Sequence, residues 1–206
     1  MLSKTQNQAL YELQKELWDY AEPGFLEHKS AKAMSDFLRR EGFQVTEGLC
    51  GMDTAFVGVW GSGKPVICLL AEFDALYGLS QEADVAEYKP IEGMATGHGC
   101  GHHLLGVGSI AAAMIVKDYL EKNKLPGTIK MVGCPAEESG SGKPIWHATG
   151  SSRTPMQRSP GIHPRSTSYL PVPISPAFNV ISGSTAFPVM PQAIRKRAAA
   201  RWTPPN

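Results

Sequence analysis

Near the start of the chain, Leu10, Leu13, Leu17 and Trp18 recur at helical spacing within Gln6 to Tyr20, and Pro23-Gly24 closes the segment. A second helix is predicted from Ser30 to Arg40, with Ala33, Met34, Phe37 and Leu38 on one face and Gly42 as its stop. Phe43 to Val45 and Thr54 to Trp60 read as short strands, the second closed by Gly61-Ser62-Gly63. Pro65 to Ala71 is apolar without alternation, the pattern of a strand buried on both faces of a parallel sheet. A polar loop from Tyr77 to Gly99 leads into a helix, His103 to Lys122, whose apolar face is Leu104, Val107, Ile110, Ala111, Met114, Ile115 and Tyr119. Gly127 then introduces a further strand, Thr128 to Cys134. Strand, helical crossover and strand make a βαβ unit, so the predicted class is α/β, with helices over a largely parallel sheet.

Composition changes this picture at one place. All 19 acidic residues lie at or before Glu138, against 12 Lys and Arg there, whereas Ser139 to Asn206 carries 8 bases and no acid. Ten of the 16 prolines follow Trp146, and apolar periodicity stops. Residues 1–143 are therefore expected to form the folded part and 144–206 a Pro/Ser/Arg-rich, disordered tail. Over the whole chain, 42% hydrophobic residues suffice for a core. No continuous apolar run reaches a membrane span of roughly 20 residues, and Met1 to Ala21 lacks the features of a secretory signal. The four cysteines form no CxxC pair, which favours a reducing, cytoplasmic or nucleoplasmic setting. Arg195-Lys196-Arg197 and Arg201 lack an aromatic or groove-reading companion, so neither nucleic acid nor membrane is an expected partner.

Chemistry concentrates at the predicted strand ends. Glu72 and Asp74 follow Pro65 to Ala71, Glu137 and Glu138 follow Thr128 to Cys134, and Cys100 and His102 stand where the loop enters the crossover helix. In open α/β sheets, ligands gather beyond the carboxyl ends of the strands, so these segments should converge. Thiolate, imidazole and carboxylate together suit zinc, with manganese or cobalt where oxygen donors dominate. Cys100 at a helix N-terminus is favoured as thiolate, and Gly97, Gly99 and Gly101 give the loop backbone freedom. Adjacent acids on an extended segment point apart, so one of Glu137 and Glu138 can ligate while the other moves a proton. His28 and His163 read as surface residues, and His98 and His103 as neighbours that shape the loop.

Three motifs carry a resemblance: AEFDALYGLSQ (Ala71 to Gln81), GHGCGHHLLG (Gly97 to Gly106) and GCPAEESGSGK (Gly133 to Lys143). They resemble family twenty of the metallopeptidases, the aminoacylase and carboxypeptidase type, and within it the amidohydrolase branch that includes p-aminobenzoyl-glutamate hydrolases and β-alanyl-lysine dipeptidases. The resemblance covers about Leu10 to Lys143. It implies a zinc-exopeptidase-like catalytic domain holding two ions, zinc or manganese, with Cys100, His102 and Glu138 as ligands. Glu137 becomes the general base and Asp74 the support of the metal shell, while Glu72 ranks lower because other branches place a ligand histidine there. The implied reaction is hydrolysis of an amide in a dipeptide or N-acyl amino acid by metal-bound hydroxide.

The chain also departs from the pattern. Tyr77 stands where the branch commonly has proline and His103 where it has asparagine or aspartate. The late ligand histidines and the inserted lid and dimerisation domain, through which relatives often form homodimers, have no counterpart, and His147 follows the acid pair too soon to replace one. The domain is thus expected to be partial and C-terminally truncated. An alternative expectation is an inactive fragment that binds metal weakly or pairs with a full-length relative.

Overall fold

The computed structural model describes residues 2–139; the predicted tail, with His147, His163 and Arg195 to Arg201, lies outside the described residues. The chain opens with helix α1 (Lys4–Tyr20), started by a reciprocal cap in which Ser3 Oγ accepts from Gln6 N–H and Gln6 Oε1 from Ser3 N–H. Helix α2 (His28–Arg40) follows, its first turn capped by the Glu22 carboxylate, which accepts from the N–H groups of Lys29 and Ser30. Strands β1 (Gln44–Glu47), β2 (Phe56–Ser62) and β3 (Val66–Ala71) come next. A two-residue ladder, β4 (Leu76–Tyr77) with β5 (Thr96–Gly97), closes the long loop before helix α3 (His102–Lys122) and strand β6 (Gly127–Gly133).

The sheet order is β1-β2-β6-β3. The predicted βαβ unit is present as β3-α3-β6, with β3 and β6 parallel and in register from Val66 opposite Thr128 to Ala71 opposite Gly133. β2 pairs antiparallel with both β6 and β1, so the described sheet is mixed rather than largely parallel. β3 also differs from expectation: it is the edge of the described sheet, and Val66 to Leu70 are half-buried. An apolar run without alternation marks a strand that accepts cover on both faces, but it does not say where in the sheet that strand stands.

The core lies between the sheet and the helices, built from Leu13, Leu17, Met34, Phe37, Leu38, Phe56, Phe73, Ile110, Met114, Ile129 and Met131. α3 packs on β3, β6 and α1 with Val107, Ile110, Ala113, Met114 and Leu120 inward, leaving Leu104, Ile115 and Tyr119 exposed. The sequence could not choose this face, because α3 is apolar nearly all round; its mean hydropathy of 1.3 would suit a membrane span by length and composition alone. Gly106 lets α3 approach the end of β3, since a Cβ there would lie 2.6 Å from the Glu72 carbonyl oxygen.

Ile110 is fully buried and Tyr119 is 60% exposed on the same helix. Ile110→Ala should therefore lose about 2–5 kcal/mol of unfolding free energy in urea denaturation. Tyr119→Ala should stay within about 0.5 kcal/mol of the parent.

Candidate metal centre

Asp74 stands three residues beyond β3 and is buried to 1% exposure. Its Oδ1 lies 2.8 Å from His102 Nδ1, in the first turn of α3, and its Oδ2 accepts from the Glu138 N–H at 3.0 Å, past the end of β6. Burial alone would raise the Asp74 carboxyl; the hydrogen bond and charge of His102, with the Glu138 amide, outweigh it and hold the group below its ordinary range. An ionised carboxylate only accepts, so His102 Nδ1 carries a proton and donates it, and the ring turns Nε2 toward the remaining acids.

Around that nitrogen, Glu72 Oε2 lies at 3.4 Å and Glu137 Oε2 at 3.7 Å. Two trios of donor atoms result, Cys100 with His102 and Glu138, and Glu72 with His102 and Glu137, each with its atoms within 4.8 Å of one another. The structure thus brings together Asp74, Cys100, His102, Glu137 and Glu138, and adds Glu72 as a full member of the second trio. The acid pair does not lie on an extended segment. Ala136 takes a left-handed conformation (φ 56°) and Glu137 to Ser139 form a turn, which sends the two carboxylates to different trios.

Burial would lower the His102 pKa, yet the hydrogen bond to Asp74 and the contact with Cys100 push it up to about 11. The oxygens that hold this proton also attract a divalent cation, and the two compete for the ring. The donor set therefore fits a borderline ion: one sulfur, one imidazole whose second nitrogen is fixed by a carboxylate, and carboxylate oxygens.

Of the three loop glycines, Gly101 alone takes a left-handed backbone (φ 77°), as the N-cap of α3. Gly97 is required by space, since a Cβ there would lie 1.9 Å from the Leu79 carbonyl oxygen. His98 and His103 are not in either trio. Their rings are in tilted contact, with centroids 4.5 Å apart and planes at 38°, and pack against Trp18, and His98 Nε2 donates to the Leu17 carbonyl at 2.9 Å. Both Nδ1 atoms are buried without a hydrogen-bond partner. Sequence reasoning missed Glu27, which is fully buried beneath the acid pair: Thr54 donates its hydroxyl to Oε2 at 2.9 Å and Ala136 its N–H to Oε1 at 2.7 Å. The sequence offered only a lone acid directly after Phe25-Leu26, with nothing in its neighbourhood to mark it as buried.

Residues 68–167 match Peptidase family M20/M25/M40, a match that runs past the compositional break at Lys143. Over that stretch the chain is similar to this peptidase family. It is 46% identical over 128 residues to a p-aminobenzoyl-glutamate hydrolase of Escherichia coli, covering 62% of this chain and 27% of that protein. It is 30% identical over 138 residues to thermostable carboxypeptidase 1 of Saccharolobus solfataricus, covering 64% of this chain and 32% of the relative. Xaa-Arg dipeptidase of Mus musculus is 27% identical over 143 residues, covering 64% and 29% of the two chains. The chain thus spans about a quarter to a third of the length of the curated relatives it matches. Among solved structures, a Bacillus subtilis dinuclear metal binding peptidase from the M20 family superposes with a TM-score of 0.61 at 22% identity, over 73% of this chain and 41% of that one. That likeness shows a shared fold over the matched part.

The histidine pair generates a pH prediction. Burial depresses His98 and lowers His103 from 6.5 to about 4, with the neighbouring His102 charge adding to both. Between those values the unfolded chain binds more protons than the folded one, so stability falls as pH drops through about 6.5 to about 4. Glu27, raised by burial from 4.5, pulls the other way over part of that window. The measurement is therefore a comparison by circular dichroism melting: the midpoint should fall less steeply with acid in His103→Asn than in the parent. Identical slopes would contradict the assignment.

Proposed function

We propose that the chain forms part of a metal-dependent amidohydrolase that cleaves the amide bond of a dipeptide or N-acyl amino acid, of the β-alanyl-lysine type. In this reading Cys100, His102 and Glu138 hold one ion, and Glu72 and Glu137 stand beside it. Zinc or manganese is the proposed metal. The observation that carries the reading is the Asp74 carboxylate, which fixes His102 at 2.8 Å and the Glu138 amide at 3.0 Å and so assembles donors from three segments. The names of the relatives support the substrate class: p-aminobenzoyl-glutamate hydrolase and Xaa-Arg dipeptidase share an amide on the nitrogen of an α-amino acid.

When bound, the metal polarises the scissile carbonyl and makes water more acidic. The chain's own residues do the rest. Asp74 keeps His102 in the tautomer that leaves Nε2 available and holds the turn that carries Glu138. Glu137, half-buried, is placed to take a proton from the attacking water at its carboxylate and to return it to the leaving nitrogen. The Gly97 to Gly101 loop sets Cys100 at the mouth of the site, where it is exposed.

A second reading, a chain that binds metal without turning over substrate, is favoured by the place of His102 in both trios: with Nδ1 bonded to Asp74, its one free nitrogen serves a single ion. The test is to load the purified chain with zinc or manganese, then measure bound metal and hydrolysis of β-alanyl-lysine and p-aminobenzoyl-glutamate. Turnover supports the enzyme reading, metal without turnover supports the second, and neither metal nor turnover contradicts both. Where turnover is seen, Glu137→Gln should keep the metal and lower kcat by about 10²–10⁴-fold. Asp74→Asn should weaken metal binding by about 10–100-fold, read by competition with a chromogenic chelator.

A further inference from the structure

The segment between α1 and α2 lies beneath both arms of the site. Pro23 forms a parallel bridge with Ala75, whose N–H donates to the Glu22 carbonyl at 2.8 Å. Gly24 packs so closely on the other arm that a Cβ there would come to 3.0 Å from Ala136 and from Ser139 Oγ. Three residues on, the Glu27 carboxylate is fully buried as the N-cap residue of α2, bonded through Oε1 to the Ala136 N–H and through Oε2 to the Thr54 hydroxyl.

Ala136 is where strand β6 and its extension, the Cys134 N–H bonded to the Ala71 carbonyl, give way to the turn that carries Glu137 and Glu138. Its left-handed backbone is one that alanine rarely adopts unaided. Two buried carboxylates hold this turn by alternate amides: Glu27 takes the N–H of residue 136 and Asp74 that of residue 138. Glu137 lies between them.

We infer that Glu27 is a positioning residue for the acid pair: its hydrogen bond to the Ala136 amide holds the turn that aims Glu138 and Glu137 at their two trios. The inference rests on the metal reading above. Glu27 touches no donor atom of either trio through any bond described, so it acts through the turn. Burial pushes its carboxyl up, and the nearby Asp74 charge adds to that, while the bonds from Ala136 and Thr54 oppose both. An amide oxygen can do the same holding. Glu27→Gln keeps an acceptor for Ala136 and gains a donor for the Thr54 hydroxyl, whereas Glu27→Ala leaves both groups buried and unpaired.

Cobalt titration of the full chain tests this, with the sulfur-to-cobalt charge-transfer band reporting Cys100 and the visible ligand-field bands reporting the rest of the shell. Glu27→Ala should weaken cobalt binding by about 10–100-fold, keep the sulfur band and alter the ligand-field bands, because the turn carrying Glu137 and Glu138 moves while Cys100 and His102 stay. Glu27→Gln should restore most of the affinity and the parent spectrum. If Glu27→Ala does not fold, the near-isosteric pair Glu27→Met with Thr54→Val leaves only the Ala136 amide unpaired and should show the same loss. Binding and spectra equal to the parent in a folded variant lacking the acceptor would overturn the inference, as would an equal loss in Glu27→Gln. A parent chain that takes up no cobalt contradicts the metal reading itself, and the inference falls with it.

Discussion

A single buried carboxylate organises this molecule's chemistry. Asp74 is carried in from the end of β3, yet its two oxygens are occupied by groups from the first turn of α3 and from the turn after β6. A carboxylate at 1% exposure is costly unless its charge is met by hydrogen bonds, and here both bonds come from the segments that bear the candidate ligands. The requirement that Asp74 be satisfied is thus the same requirement that brings His102 and Glu138 together. The parallel register of β3 and β6 makes this possible, because it ends both strands at the same level, with Ala71 opposite Gly133.

The site is held from below as well as from within. The loop from Glu22 to Glu27 bonds to Ala75 on one arm and to Ala136 on the other, and Gly24 admits the close contact. On the far side, His98 ties the Gly97 to Gly101 loop to the last turn of α1, with Trp18 packed on the two imidazoles. Each ligand-bearing segment is therefore anchored to an element outside the βαβ unit. The first two helices serve the centre although neither contributes a donor atom to it.

Much of this was legible in the sequence, and what was not has physical reasons. The βαβ unit could be read because a 21-residue apolar helix between two apolar strands has few other solutions. The convergence of Asp74, Cys100, His102, Glu137 and Glu138 followed from placing each at a strand end or helix start. The antiparallel pairing of β2 with β6 could not be read, since strand order depends on contacts far apart in sequence. The β4–β5 ladder was hidden because two-residue strands carry no periodicity. Ala21 and Ala136 take left-handed conformations that glycine would have announced. Glu27 was invisible for a similar reason: its burial is set by Thr54 and Ala136, 27 and 109 residues away.

The central claim is that a thiolate, an imidazole and a carboxylate from segments joined through Asp74 share one ion. X-ray absorption at the zinc edge of the zinc-loaded chain tests it most directly. The account predicts a mixed shell with one sulfur at about 2.3 Å and nitrogen and oxygen neighbours, one of them imidazole, at about 2.0–2.2 Å. A shell of oxygen and nitrogen without sulfur, unchanged in Cys100→Ser, would contradict it.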